Sequence, residues 1–219
     1  MKISEVARPA RAQLPTRLRM GFERLMAAAQ EMTDWRNWYI EHETLIEELF
    51  GTDAKLFRAL LAATSQLSSV TTNVPLALKA YQQLKRGEPF TGYMPQVINN
   101  LERIRNDQAL SGLKISQFGG AMDNSITDNI AVDQHIGELF FGNPKPSPPQ
   151  VRKAKIVIAK IAAKLGWQPR EVQASLWAYN KMRRGQTIHT YNTVLDKNRD
   201  KVIAVIQALN ALKQEQQVA

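Results

Sequence analysis

Residues 107–141, DQALSGLKISQFGGAMDNSITDNIAVDQHIGELFF, decide how the rest of the chain is read. Glycines stand at 112, 119 and 120. Residues 107–128 read as two short helices joined by a tight turn, followed by a polar loop. A helix restarts near Val132 and runs through Leu139 to Phe141, with Asp133 at its start, where a carboxylate caps free backbone N–H groups. No alternating apolar pattern appears here, so helices and turns are expected rather than strands.

Working outward, helical spacing of apolar residues marks most of the sequence. It predicts helices over 16–31, 34–50, 53–65, 95–106, 150–165, 169–184 and 197–214. Residues 67–86 begin polar and become helical, with Pro75 near the first turn. Gly51 and Gly166 act as stops. GNPKPSPPQ (142–150) is a proline-rich connection, and residues 186–196 are expected as a loop or a short extended piece. The fold class is therefore all-α. Two helical lobes around a cleft are expected, one from residues 52–128 and the other from 1–51 with 129–219.

Composition narrows the partners. The 219 residues are 44% hydrophobic, enough for a sizeable core. Cysteine is absent, which excludes disulfides and thiolate-held zinc or iron–sulfur centres. With only three histidines, 42, 135 and 189, and no cysteine, no zinc site is expected, nor any other metal or cofactor. No apolar run reaches the roughly 18–20 residues needed to span a bilayer, and residues 1–20 lack the apolar stretch of a secretory signal. A cytoplasmic setting with no membrane partner follows as the expectation.

Net charge is +9 and the pI about 9.9, for which a polyanion is the default partner. No acidic residue lies between Glu138 and Glu171, whereas Lys145, Arg152, Lys153, Lys155, Lys160, Lys164 and Arg170 do. That run is a candidate phosphate-facing surface, with plain solvation as the alternative. Lys153, Lys155, Arg183 and Arg184 are the chosen phosphate contacts.

Two segments resemble the helix-hairpin-helix DNA glycosylase superfamily. Leu110-Ser111-Gly112-Leu113-Lys114 is similar to the family's L-P-G-V-G hairpin, and Ala131-Val132-Asp133-Gln134-His135-Ile136 to the V-D-T-H-V stretch that opens a helix after it. Upstream, Leu60-Leu61-Ala62-Ala63-Thr64-Ser65-Gln66-Leu67-Ser68-Ser69-Val70 looks like the family's L-L-S-A-Q-A-T-D turn. The resemblance covers about half the chain.

It implies that Asp133 is the catalytic carboxylate and that Gly112, Lys114 and Ser116 lie against DNA. It makes Gln66 the plug filling the space of an extruded base, with Leu67 a second wedge. Two departures matter. Ser111 and Lys114 replace the hairpin's proline and second glycine. Ser116 stands where bifunctional members carry a lysine, which implies a monofunctional enzyme that stops at an abasic site. Double-stranded DNA with an extruded base is the implied partner, and a nucleoid-associated monomer of bacterial or phage origin the implied form. LGWQPREVQASLWAYNKMRRG and LFRALLAATS are also similar to a phage-associated branch of α-glutamyl/putrescinyl thymine pyrophosphorylase-type proteins. That likeness points to a hypermodified pyrimidine, such as a glucosylated hydroxymethylcytosine, and to phage defence or base modification beside repair.

The chemistry suits these residues. Breaking an N-glycosidic bond builds positive charge on the sugar, which a fixed carboxylate stabilises while orienting water. Asp133 as a mere helix cap is the competing reading. An extruded base needs a pocket, for which Trp35, Trp38, Tyr39 and His135 are candidates, although aromatic residues at helical spacing also build cores. Trp167 and Trp177 read as core. The alternatives to an enzyme are a non-catalytic DNA-binding module of the same fold and a helical interaction protein whose charge is incidental.

Overall fold

The structure, a computed structural model, describes residues 17–66, 68–122 and 129–218. Among these the chain is all-helical, with no strand. The helices are α1 (Phe22–Glu31), α2 (Glu43–Phe50), α3 (Ala54–Thr64), α4 (Val70–Lys85), α5 (Pro95–Arg105), α6 (Leu113–Ala121), α7 (Gln134–Phe141), α8 (Pro148–Leu165), α9 (Pro169–Arg183), α10 (Tyr191–Lys197) and α11 (Arg199–Val218). None is long and apolar enough to cross a membrane.

The ends of these helices follow from local chemistry. Proline opens α5, α8 and α9, where its missing N–H costs nothing. At α8 the Ser147 N–H donates to Gln150 Oε1 at 2.8 Å, and at α9 the Gln168 N–H donates to Glu171 Oε2 at 2.7 Å. Gly142 and Gly166 end α7 and α8 in the left-handed conformation that a β-carbon disfavours.

Four expectations are corrected. Residues 34–50 are not one helix: Thr33–Trp35 is a single 3-10 turn, turns follow, and only Glu43–Phe50 is α-helical. The break places the Trp38 indole N–H on the His189 carbonyl at 3.1 Å, a tertiary bond that outweighs local propensity. Residues 107–121 hold one helix after a turn rather than two. Residues 191–197, expected as loop, form α10, capped by the Thr190 hydroxyl. Pro75 lies in the second turn of α4, because Ser69 caps that helix six residues before it.

Apolar side chains gather in two buried clusters. The first takes residues from α2, α3, α4, α5, α10 and α11, with Trp38 and Tyr39. Fully buried Phe57 stacks on Phe50 at 3.8 Å and meets Tyr81 edge-on. Removing a ring of that kind costs about 3–5 kcal/mol. The second cluster takes α1, α7, α8 and α9, with Ile130 and Val132. Helix α9 serves both: Ala174 belongs to the first, Val172 and Leu176 to the second, and Trp177 packs on each. Helices α2, α10 and α11 join the first cluster. Their apolar faces meet α3 and α4, and distance along the chain has no bearing on that.

Polar struts tie the first cluster. Thr64 Oγ1 and the amide of buried Asn73 are 2.7 Å apart, and Asn73 Nδ2 donates to the Tyr191 hydroxyl at 2.7 Å. Buried Asn100 clamps the turn between α5 and α6, accepting from the Ser111 N–H at 2.7 Å and donating to its carbonyl at 3.2 Å. Each pairing removes a buried polar group's desolvation penalty.

Candidate functional site

Asp133 is the N-cap of α7. Its Oδ1 accepts from the backbone N–H groups of His135 and Ile136, both at 3.0 Å. One oxygen thus satisfies two of the donors that every helix start leaves free. Oδ2 accepts no hydrogen bond among the described residues. Asp133 is partly exposed and lines a cavity of about 800 Å³ between the two buried clusters. Among the described lining residues it is the only carboxylate, while Lys114, Lys145, Lys155 and Lys181 are all there.

Aromatic rings wall the cavity. Trp38 lies 5.1 Å from Trp177 and 5.4 Å from Tyr191, ring centre to ring centre. Tyr39 stands edge-on to Trp38 at 5.1 Å. Its hydroxyl donates to Gln173 Oε1, and burial, then the Asp133 charge, holds it well above the ordinary tyrosine range. Tyr39 is therefore a neutral donor at working pH. Burial lowers the basicity of His135, opposed by the Asp133 charge. The ring packs edge-on to Trp177 and sits 3.5 Å from the Asn180 amide.

Helix α9 presents Gln173, Trp177 and Lys181 to the cavity, each four residues from the last and so on one face. The Lys181 ammonium lies 4.9 Å from the centre of the Trp177 ring. Burial depresses its basicity and the Asp133 charge partly restores it. From α8, Lys155 Nζ donates to Gln117 Oε1 at 2.8 Å. The same oxygen accepts from the Ile130 N–H at 3.3 Å.

The site gathers some of the residues marked in the sequence and not others. Asp133, His135, Trp38, Tyr39, Lys114 and Lys155 line the cavity. Trp35 does not; it packs on the rim of the first cluster. Gln66 does not either. Its amide donates to Gln96 Oε1 at 2.9 Å, and Ser65, Ser68 and Ser69 take the lining positions beside it. Leu67 lies outside the described residues. Gly112 caps α6 at the end of the hairpin turn, and Ser116 follows one turn later, its N–H on the Gly112 carbonyl at 3.0 Å. Neither lines the cavity.

The basic run splits up. Lys153 and Lys155 are two residues apart, about 200° around a helix, so only Lys155 faces inward. Arg184 pairs with Glu138, and Arg183 bonds Asn180 Oδ1 at 3.0 Å; both stay outside. Arg170 is buried against the Ala121 carbonyl. Sequence reading missed Gln173, Lys181, Gln117 and Tyr191, and set Trp177 aside as core. The spacing of four in Gln173-Trp177-Lys181 was the available signal. No group of three His, Asp or Glu among the described residues is set to hold a metal ion.

Compared with known protein families, curated proteins and solved structures, the chain matches none.

Proposed function

We propose that this protein is a monofunctional DNA glycosylase that hydrolyses the N-glycosidic bond of a damaged or modified base and leaves an abasic site. One observation carries the reading: Asp133 spends a single oxygen on its helix and leaves the other for an aromatic-walled, lysine-bearing cavity. In the reaction, the base enters the cavity and stacks against the wall of Trp38 and Trp177. The C1′–N bond breaks with its electron pair going to the base. Asp133 Oδ2 stabilises the positive sugar, water adds to C1′, and the water's proton passes to Asp133. Lys114 and Lys145 hold phosphates near the opening. Ser116 has no amine, so no imine forms at that position and the strand is not cut.

Asp133 also has a complete structural reason to exist as a cap, which is the observation favouring a non-catalytic DNA-binding module. The two readings part on one experiment. The protein and Asp133→Asn are incubated with duplexes carrying uracil, alkylated purines, 8-oxoguanine, an adenine mismatch or hypermodified cytosines. Strand breaks that need hot alkali and vanish in the variant are the expected result. Salt-sensitive DNA binding with no base released from any duplex overturns the enzyme reading.

A further inference from the structure

The glutamines of the cavity carry information beyond the chemistry of bond breaking. Gln173 is 2% exposed, yet it lines the cavity. Its Oε1 is taken by the Tyr39 hydroxyl, which has no other acceptor among the described residues. Its Nε2 has no partner there, and it is not among the polar atoms sealed away from solvent. The amide is thus held in one orientation, N–H groups toward the cavity. Gln117 repeats the arrangement: its Oε1 accepts from Lys155 and Ile130, which leaves its N–H groups over. A ligand that fills the cavity displaces the water that can serve these N–H groups, so one that supplies an acceptor is favoured over one that supplies a second donor.

We propose that Gln173 reads the extruded base and selects bases presenting an oxo group over those presenting an amino group at the same edge. This rests on the glycosylase reading for its substrate, but not for its physics. Tyr39 acts as a positioning residue, because turning the amide over would leave its buried hydroxyl proton without an acceptor. An amino base would set N–H against N–H, and relieving this by rotating the amide would orphan that proton.

The test pairs oxo and amino bases of the same size in otherwise identical duplexes: uracil against cytosine, and hypoxanthine against adenine. Single-turnover release is measured, and in parallel the quenching of tryptophan fluorescence by the free nucleosides, since Trp38 and Trp177 wall the cavity. Gln173→Glu keeps the acceptor for Tyr39 and replaces the donor with oxygen. Gln173→Met removes both groups. Tyr39→Phe frees the amide to turn. Circular dichroism confirms that each variant is folded. The expected result is an oxo preference of about tenfold in the unaltered protein, reduced to within about threefold in both Gln173 variants and intermediate in Tyr39→Phe. An unchanged preference in folded Gln173→Glu and Gln173→Met overturns the proposal, as does equal treatment of both members by the unaltered protein. No release from any duplex, together with oxo-selective quenching that depends on Gln173, keeps the proposal and overturns the glycosylase reading instead.

Discussion

Helices α6 and α7 both begin beside the cavity, and they begin differently. At α7 the cap is Asp133, whose carboxylate takes the first free N–H groups. At α6 the cap is Gly112, which has no side chain to offer to the first N–H groups of that helix. One helix start carries a capping carboxylate, and the other does not. Lys114 stands at the second position of α6, which adds positive charge at that start. The contrast assigns the two starts to different tasks under the proposed function: α7 holds a carboxylate against the sugar, and α6 receives a phosphate.

The largest expected effect breaks the α7 side of that comparison. Asp133→Asn keeps an oxygen for the His135 and Ile136 N–H groups but removes the charge. Base release falls by at least about 100-fold in single-turnover assays, while thermal stability changes by less than about 1 kcal/mol. Asp133→Ala loses the cap as well and costs about 1 kcal/mol more in urea melts. If activity and stability fall together in both variants, Asp133 is a cap only.

Acid acts on folding through a group away from both starts, His42, beside α2. Burial, reinforced by the nearby Arg58 charge, lowers the His42 pKa from 6.5 to about 3. The unfolded chain therefore takes up a proton below 6.5 that the folded chain refuses. Stability is intact above the unfolded value and declines as the pH falls toward 3. Between pH 6.5 and 4.5 the loss is about 2–3 kcal/mol from this group. Urea melts at both pH values check it, and His42→Leu is expected to remove that share of the acid sensitivity.

Gly112→Ala strikes the α6 side. Gly112 has φ 94° and ψ 123°, a backbone conformation in which a side chain is strained even though open space surrounds it. Alanine there costs about 1–3 kcal/mol and shifts the start of α6, read by thermal melting and by DNA affinity. The smallest effect belongs to Lys114→Ala. It lowers the salt dependence of DNA binding by about one counterion and the affinity by a few-fold, uniformly across sequences. Lys153→Ala, on the opposite face of α8 from Lys155, is the matching control and is expected to change neither.

The sequence was most legible where a single local rule acts. Proline and glycine punctuation located α8 and α9 within a few residues, and Asp133 before an apolar run marked the start of α7. Reading failed where partners come from afar. Nothing local announces that Glu138 claims Arg184 or that Ala121 receives Arg170. The acid-free run read as one surface because charge was counted along the chain, whereas a helix turns each successive residue by about 100°. Gln173 was overlooked for a related reason. A lone glutamine carries no signal until Tyr39, 134 residues away in sequence, fixes which end of its amide is free.

Helix α9 gives side chains to both hydrophobic clusters, and this has a consequence for how the protein comes apart. A molecule with two cores joined by a linker can melt in two steps, each core keeping its own stability. Here neither core is complete without the same helix, so loosening one strips a wall from the other. The two clusters are therefore expected to melt as one cooperative unit, with α9 in its slowest-exchanging part. The cavity wall that carries Gln173, Trp177 and Lys181 is thereby expected among the last surfaces to soften, although it borders an open cavity.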